Sequence, residues 1–214
     1  MKILTYMNQQ QLQLLGFSYH VGSKCSNMKA HTNTINTIIH CYLQHCYNFK
    51  LYPKIIDIGG GFEHEHQLSE LNNELYYVKN ALYNYNINLI AEPGRLFSKG
   101  SLDVIVNIIA VREKYIDNIK TLYLTINDSI YHTFQGKYFD GQTYEPVALY
   151  KSSEEIIRCV IFGQTCDSLD LICENVMLPY PSIGDRLMFP NIGAYSLASA
   201  NGNFNGFQTP IVIN

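Results

Sequence analysis

Three short apolar runs in the first half of this 214-residue chain each end in a glycine-bearing turn, and no other feature constrains the fold as tightly. The turns are His20-Val-Gly-Ser23, Asp57-Ile-Gly-Gly-Gly-Phe62 and Glu92-Pro-Gly-Arg95. Ahead of the first, Phe17, Tyr19 and Val21 alternate with Ser18 and His20; Ile55-Ile56-Asp57-Ile58 and Ile87-Asn88-Leu89-Ile90-Ala91 lead into the other two. After Ser26, a candidate N-cap, Ile35, Ile38, Ile39, Tyr42, Leu43 and Cys46 recur at helical spacing, and Leu68, Leu71, Leu75, Val78 and Leu82 do so before the third turn. The strand ends stand about 35 to 40 residues apart, the length of one βα unit, and their apolar character suits buried parallel strands. Three such units fit a doubly wound sheet or part of a closed (β/α)8 barrel.

Beyond Arg95 the texture changes. Leu102 to Arg112, Thr121 to Ile126, Ala148 to Tyr150, Ile156 to Phe162 and Arg186 to Phe189 are apolar runs without helical periodicity, punctuated by Gly, Pro, Asn and Asp. That pattern predicts an antiparallel β sandwich or barrel. The polar Ser98-Lys-Gly-Ser101 marks the join, so residues 1–100 read as a partial barrel and 101–214 as the β domain.

Charge and hydropathy remove several classes of function. A net charge of -3 without a basic run argues against nucleic-acid binding. No apolar stretch reaches about 18 residues, so no membrane span is expected. The N-terminus lacks the long apolar core of a signal peptide, and the six cysteines fall at strand and helix positions rather than in the turns of a small secreted scaffold. A reducing, cytoplasmic setting is the expectation.

The turns themselves carry the chemistry. Glycine after a strand presents backbone N–H groups that can hold phosphate, and three such turns at neighbouring strand ends suggest one phosphate-bearing ligand. Gly59-Gly60-Gly61 is neither a dinucleotide fingerprint nor a P-loop, because the spacing and the G-K-[ST] are missing. A close approach of backbone to ligand would explain three consecutive glycines. His20 reads either as a hydrogen-bonded structural group or as a flat ring stacked on a heteroaromatic ligand. Glu92 and Arg95 read as an ion pair tying a loop, or as a divided pair: Arg95 on a phosphate, Glu92 on a ring nitrogen that it keeps protonated. In Gly163-Gln-Thr-Cys-Asp-Ser168, Cys166 is either an inert thiol or a proton donor at a strand end; Asp167 could hold a substrate ammonium, and Asp170 braces the loop. His64 and His66 lack ligand partners at zinc spacing, with Glu63 and Glu65 leaving only a weak metal pattern, so no metal is expected.

In this order, and with Gly193-Ala-Tyr195 and Phe204-Asn-Gly-Phe207, the segments resemble the pyridoxal-phosphate-dependent decarboxylases of ornithine, diaminopimelate and arginine, the fold-type III enzymes. The resemblance runs from about Gly16 to Pro210, and Cys166-Asp-Ser-Leu-Asp170 and Phe204-Asn-Gly-Phe-Gln208 are near the versions of the ornithine-specific members. It implies an α/β plus β fold: the last three βα units of a TIM barrel, then an antiparallel β domain. It implies pyridoxal 5'-phosphate as cofactor, with His20 stacked on its ring and acting in catalysis. Ser23, Gly61, Gly94 and Arg95 would hold the phosphate, Glu92 the pyridine nitrogen, and Tyr195 would reach the phosphate from the β domain. Phe139-Asp140 matches an aromatic-aspartate pair that recognises the distal amine of ornithine, with phenylalanine where tyrosine is usual. Cys166 would return the proton after carbon dioxide leaves, and Asp167 would bind substrate. Asp140, Cys166 and Asp167 come from the opposite subunit in that family, which implies a head-to-tail homodimer. Gln164 and Ser168 stand where proline and glycine are usual.

In the family the lysine that carries the cofactor sits on the first barrel strand, upstream of the His20 segment. Lys24 lies in the phosphate loop and Lys54 precedes its strand, so neither matches. The expectation is a C-terminal half whose lysine comes from a separate N-terminal half, with residues 1–214 inactive alone. The implied reaction is conversion of ornithine to putrescine in polyamine biosynthesis. Decarboxylation of diaminopimelate or arginine stays open, as does an inactive truncated or regulatory homologue.

Overall fold

The computed structural model describes residues 2–63, 66–150 and 154–213, in two compact units, Met1–Phe97 and Ser98–Asn214. The first unit opens with helix α1 (Lys2–Gln9) and strand β1 (Gly16–Ser18). Helix α2 (Lys29–Thr37) then runs through a π-helical stretch, Ile38–Leu43, into α3 (Gln44–Asn48). Strand β2 (Ile55–Asp57), helix α4 (His66–Asn84) and strand β3 (Asn88–Ile90) follow, and α5 (Gly94–Ser98) is a short helix.

The three strands are parallel in the order β1-β2-β3. Their register aligns Ser18, Asp57 and Ile90 at one edge, so the three glycine turns leave the sheet side by side. Backbone bonds continue the ladder past the strands: Tyr19 N–H to Asp57 O at 3.0 Å, Ile58 N–H to Ile90 O at 2.9 Å and Glu92 N–H to Gly59 O at 2.8 Å. Ile56 and Ile58 meet Ile35, Ile39 and Leu43 from the helices between β1 and β2, and Leu71, Val78 and Leu82 from α4, in one buried cluster. This is the arrangement of successive βα units.

Two local expectations change. Ser26 is not the N-cap of α2: the helix starts at Lys29, with Met28 at the cap position, and Asn27 Oδ1 accepts the Lys29 N–H at 3.0 Å. Tyr42 stands exposed, because the π-helical turn around it adds a residue per turn and rotates the apolar stripe.

In the second unit, the long β4 (Val104–Ile116) and β5 (Ile119–Ile126) form a hairpin. Its two-residue turn, Asp117 and Asn118, has φ of 50° and 62°, the mirror-image geometry that matches the strand twist. After a short helix α6 (Gly136–Phe139) come β6 (Val147–Ala148), β7 (Ile156–Phe162), β8 (Leu171–Pro179) and β9 (Arg186–Phe189). The six-stranded sheet has the order β6-β9-β4-β5-β7-β8. Val104, Val106 and Ile108 point inward while Ile105, Asn107 and Ile109 point out, the period-two burial of a sheet with one face in the core. Phe134, Tyr144 and Phe189 pack edge to face inside it, with ring centroids 4.7 to 6.5 Å apart.

The partial barrel followed by a β barrel therefore stands. Two features go beyond the expected pattern. Strand β8 joins the sheet although Glu174 and Asn175 break its apolar run. One ladder, β5 with β7, is parallel among otherwise antiparallel pairs, so the sheet is mixed.

Candidate active site

The edge of the first unit where the strands end is built by backbone contacts that only glycine permits. A Cβ on Gly59 would strike Tyr19 O; one on Gly60 would lie 2.9 Å from Glu92 O, and one on Gly61 2.6 Å from Gly22 O. Gly59 and Gly61 thus face the first turn, residues 19–25, and Gly60 lies between that turn and the Glu92 segment. Gly59 and Gly61 also have φ of +64° and +101°. Loop-to-loop contact accounts for the triple glycine before any ligand is considered, a reason the sequence did not reveal.

His20 is placed by the same loops. Its Nδ1 accepts the Gly22 N–H at 2.9 Å, which leaves the neutral ring's proton on Nε2. The ring lies over the glycines: a Cβ on Gly60 would sit 3.1 Å from its Nε2. Asp57 Oδ1 accepts the Gly59 N–H at 2.8 Å and holds the turn from below. Ser23 is exposed two residues before Cys25, whose N–H reaches Gly61 O at 3.0 Å. Glu92 is exposed, Gly94 N–H bonds Glu92 O at 2.8 Å, and Arg95 is buried. Beneath them His31, fully buried, stacks on Phe62 at 5.2 Å, and Tyr19 donates to His31 O at 3.3 Å. Burial, reinforced by His20, holds the His31 imidazole below its ordinary pKa; burial and then the Asp57 carboxylate push the Tyr19 phenol up.

In the second unit the loop of residues 163–170 leaves β7 and is organised around Asp170. This carboxylate is fully buried. It accepts the Ile130 N–H at 2.9 Å, the Thr165 N–H at 3.0 Å and the Thr165 hydroxyl at 2.7 Å. Cys166 is thereby presented to solvent, with Asn205 Nδ2 at 3.9 Å from its Sγ. Asp167 accepts the Leu169 N–H at 2.9 Å on Oδ1 and the Tyr131 hydroxyl on Oδ2. The Tyr131 bond, with the Leu169 N–H adding to it, holds the Asp167 carboxyl below the usual carboxylate range; the same bond pushes Tyr131 up to about 12. Tyr131 also stacks on Phe204, ring centroids 3.7 Å apart. Tyr138 of α6 donates to Leu169 O at 2.7 Å, which ties the helix carrying Phe139 to this loop. Phe139 is exposed at that helix's end, and Asp140 N–H bonds back to Gly136 O at 3.0 Å. Tyr195 is exposed with φ of 54°, and the next residue, Ser196, accepts Gln135 Nε2 at 3.1 Å on its carbonyl.

The fold thus gathers His20, Ser23, Gly61, Glu92, Gly94 and Arg95 along one edge of the first unit. It gathers Cys166 and Asp167, with the helix leading to Phe139 and Asp140, around one loop of the second. Tyr131 escaped notice in the sequence because a lone tyrosine among the mixed residues Ser129, Ile130, His132 and Thr133 has no motif. Phe204 and Asn205 were visible only as part of the Phe204-Asn-Gly-Phe207 segment, without a role. His64, Glu65 and the side chain of His66 lie outside the described residues. Among the described residues no His, Cys, Asp or Glu cluster could hold a metal ion, and no helix is long and apolar enough to cross a membrane.

Comparison with known proteins points the same way. Residues 1–99 match the pyridoxal binding domain of the pyridoxal-dependent decarboxylases, and residues 51–193 match their C-terminal sheet domain. The chain is 33% identical to antizyme inhibitor 2 of Xenopus laevis, over 97% of this chain and 48% of that protein. It is 34% identical to the ornithine decarboxylase of Schizosaccharomyces pombe, over 99% of this chain and 50% of that one. The arginine decarboxylase of Paramecium bursaria Chlorella virus, solved bound to agmatine, superposes with a TM-score of 0.84 at 29% identity, over 97% of this chain and 56% of the viral one. The chain spans about half the length of the curated relatives it matches.

Proposed function

The chain belongs to the pyridoxal-dependent decarboxylase family, and from that premise we propose that it forms the cofactor-cradling and acid-loop portion of a decarboxylase acting on a basic amino acid, silent in catalysis by itself. The observation that carries the reading is the convergence of three strand-end loops at one edge, with His20 laid across Gly59 and Gly60.

The donor set fits the cofactor. Backbone N–H groups of glycine turns, the Ser23 hydroxyl and the Arg95 guanidinium suit a phosphate, and the Glu92 carboxylate suits a pyridinium nitrogen. Pyridoxal 5'-phosphate, when bound, supplies the electron sink that accepts charge as carbon dioxide departs. Glu92 keeps a proton on the ring nitrogen, as an adjacent carboxylate favours the cationic form. His20 offers a flat face whose orientation Gly22 N–H fixes. In the second unit, Cys166 Sγ–H is the exposed group able to return a proton to carbon, while Asp167, held anionic by Tyr131, and Asp140 suit the ammonium groups of the substrate. We assign these residues to the cofactor of the opposite subunit in a homodimer, and Tyr195 to the phosphate.

Ornithine is the finer substrate proposal, with arginine beside it: relatives of both kinds resemble this chain, and either distal cation suits Asp140. Strands β1, β2 and β3 carry no lysine. We therefore expect the lysine that carries the cofactor to come from βα units other than these three. A non-catalytic homologue is the second reading, favoured by the likeness to antizyme inhibitor 2. The test is carbon dioxide release from ornithine, arginine, lysine and diaminopimelate, by residues 1–214 alone and mixed with a family N-terminal half. No release alone and release from a basic amino acid in the mixture is the expected result. Multiple turnovers by the chain alone would overturn the shared-site proposal, and a mixture that binds cofactor but releases nothing would leave the non-catalytic reading standing.

A further inference from the structure

Gln67, in the first turn of α4, is 4% exposed and touches both loops assigned to the phosphate. Its Nε2 donates to Cys25 O at 2.6 Å, and its Oε1 accepts the Glu63 N–H at 2.7 Å. Cys25 lies two residues beyond Ser23, and Glu63 two residues beyond Gly61. The Cys25 N–H to Gly61 O bond at 3.0 Å closes the same connection between the loops. A primary amide is the side-chain group that donates to one loop and accepts from the other at once; a carboxylate cannot donate and an alkyl chain can do neither. Burial removes competing water, so leaving either backbone group unpaired would be costly. α4 itself packs through Leu71, Val78 and Leu82 into the core, so the amide is delivered from a rigid element.

We propose that Gln67 is a positioning residue that sets the spacing of the Ser23 and Gly61 loops for a phosphate monoester; the inference rests on the reading of these loops as the phosphate cradle. Gln67 touches no ligand in this account. It acts by joining the two loops through their backbone, before any phosphate arrives.

The test compares binding of pyridoxine 5'-phosphate with pyridoxine by residues 1–214. The two probes share the ring, differ by the phosphate and lack the aldehyde that would react with surface lysines. Wild-type chain should prefer the phosphorylated probe. Gln67→Met should cut that preference by about tenfold, the size of one lost hydrogen-bond contribution, with pyridoxine affinity unchanged. Gln67→Asn, which keeps the amide but is one methylene too short to reach both loops, should show the same loss and covers the case in which the Met variant fails to fold. Val78→Ala, which only opens a cavity in the same core, should lower the melting temperature and leave the preference intact. A wild-type chain that prefers the phosphorylated probe while both Gln67 variants keep the full preference overturns the role of Gln67 alone. A wild-type chain without preference overturns the cradle reading and this inference with it.

Discussion

Asp170 offers the sharpest test of how the second unit presents Cys166. Asp170→Ala removes the acceptor of the Ile130 N–H, the Thr165 N–H and the Thr165 hydroxyl, all at 2.7 to 3.0 Å, from a site with no solvent access at the carboxylate residue. The hydroxyl can turn to another acceptor or to water. The two backbone N–H groups cannot, and each left unpaired away from water costs about 1–3 kcal/mol. Release of the buried carboxylate's own desolvation offsets part of this, so the expected loss is about 3–4 kcal/mol. Asp170→Asn keeps the shape but aims an NH2 at one of those donors, so it should cost about 2 kcal/mol. Hydrogen–deuterium exchange across a urea series, read on peptides from residues 98–214, separates this unit's transition from that of the first unit. Alkylation of Cys166 in the absence of urea should quicken in both variants as the loop loosens. A loss below about 1 kcal/mol in Asp170→Ala, with the Cys166 alkylation rate unchanged, would refute the claim that this carboxylate organises the loop.

Three further outcomes are expected. Tyr131→Phe should raise the Asp167 carboxyl toward the ordinary range, as read by NMR titration, since the tyrosine bond is the main cause of its depression. By the sign of a lowered carboxyl, the Tyr131–Asp167 bond is fully present above the ordinary carboxylate pKa and is lost as pH falls through the lowered one; an unmoved titration in the variant would refute the bond. Gly61→Ala places a Cβ 2.6 Å from Gly22 O at φ of +101° and should destabilise the first unit by about 2–4 kcal/mol, whereas Gly141→Ala, at φ of +58° with open space around it, should cost about 1 kcal/mol in thermal unfolding. In the complemented protein, Cys166→Ala should impair formation of the correct amine product far more than cofactor binding, and unchanged turnover and product would remove its role as proton donor.

What the sequence determined alone is local: where strands end, where glycine must stand, and where helical periodicity yields to alternation. Those features follow from φ/ψ limits and from one-dimensional burial patterns, so Ile56, Val78, Leu82 and the glycine turns could be placed without coordinates. Family motifs added candidate roles to residues spread between His20 and Tyr195. Tertiary structure decided the partners. That β8 closes on β7 despite Glu174 and Asn175, and that β7 runs parallel to β5, depends on which strands meet across tens of residues. The sequence raised a close approach of backbone to ligand as a reason for Gly59-Gly60-Gly61; the structure shows close approach by neighbouring loops, residues 19–25 against Gly59 and Gly61 and Glu92 against Gly60. Gln67 and Tyr131 are ordinary residues of an amphipathic helix and a turn, and their importance lies in what they bond: Cys25 and Glu63 in one case, Asp167 in the other. A hydrogen bond between residues distant in sequence leaves no periodic trace, because its energy depends on geometry that exists only once the chain has folded.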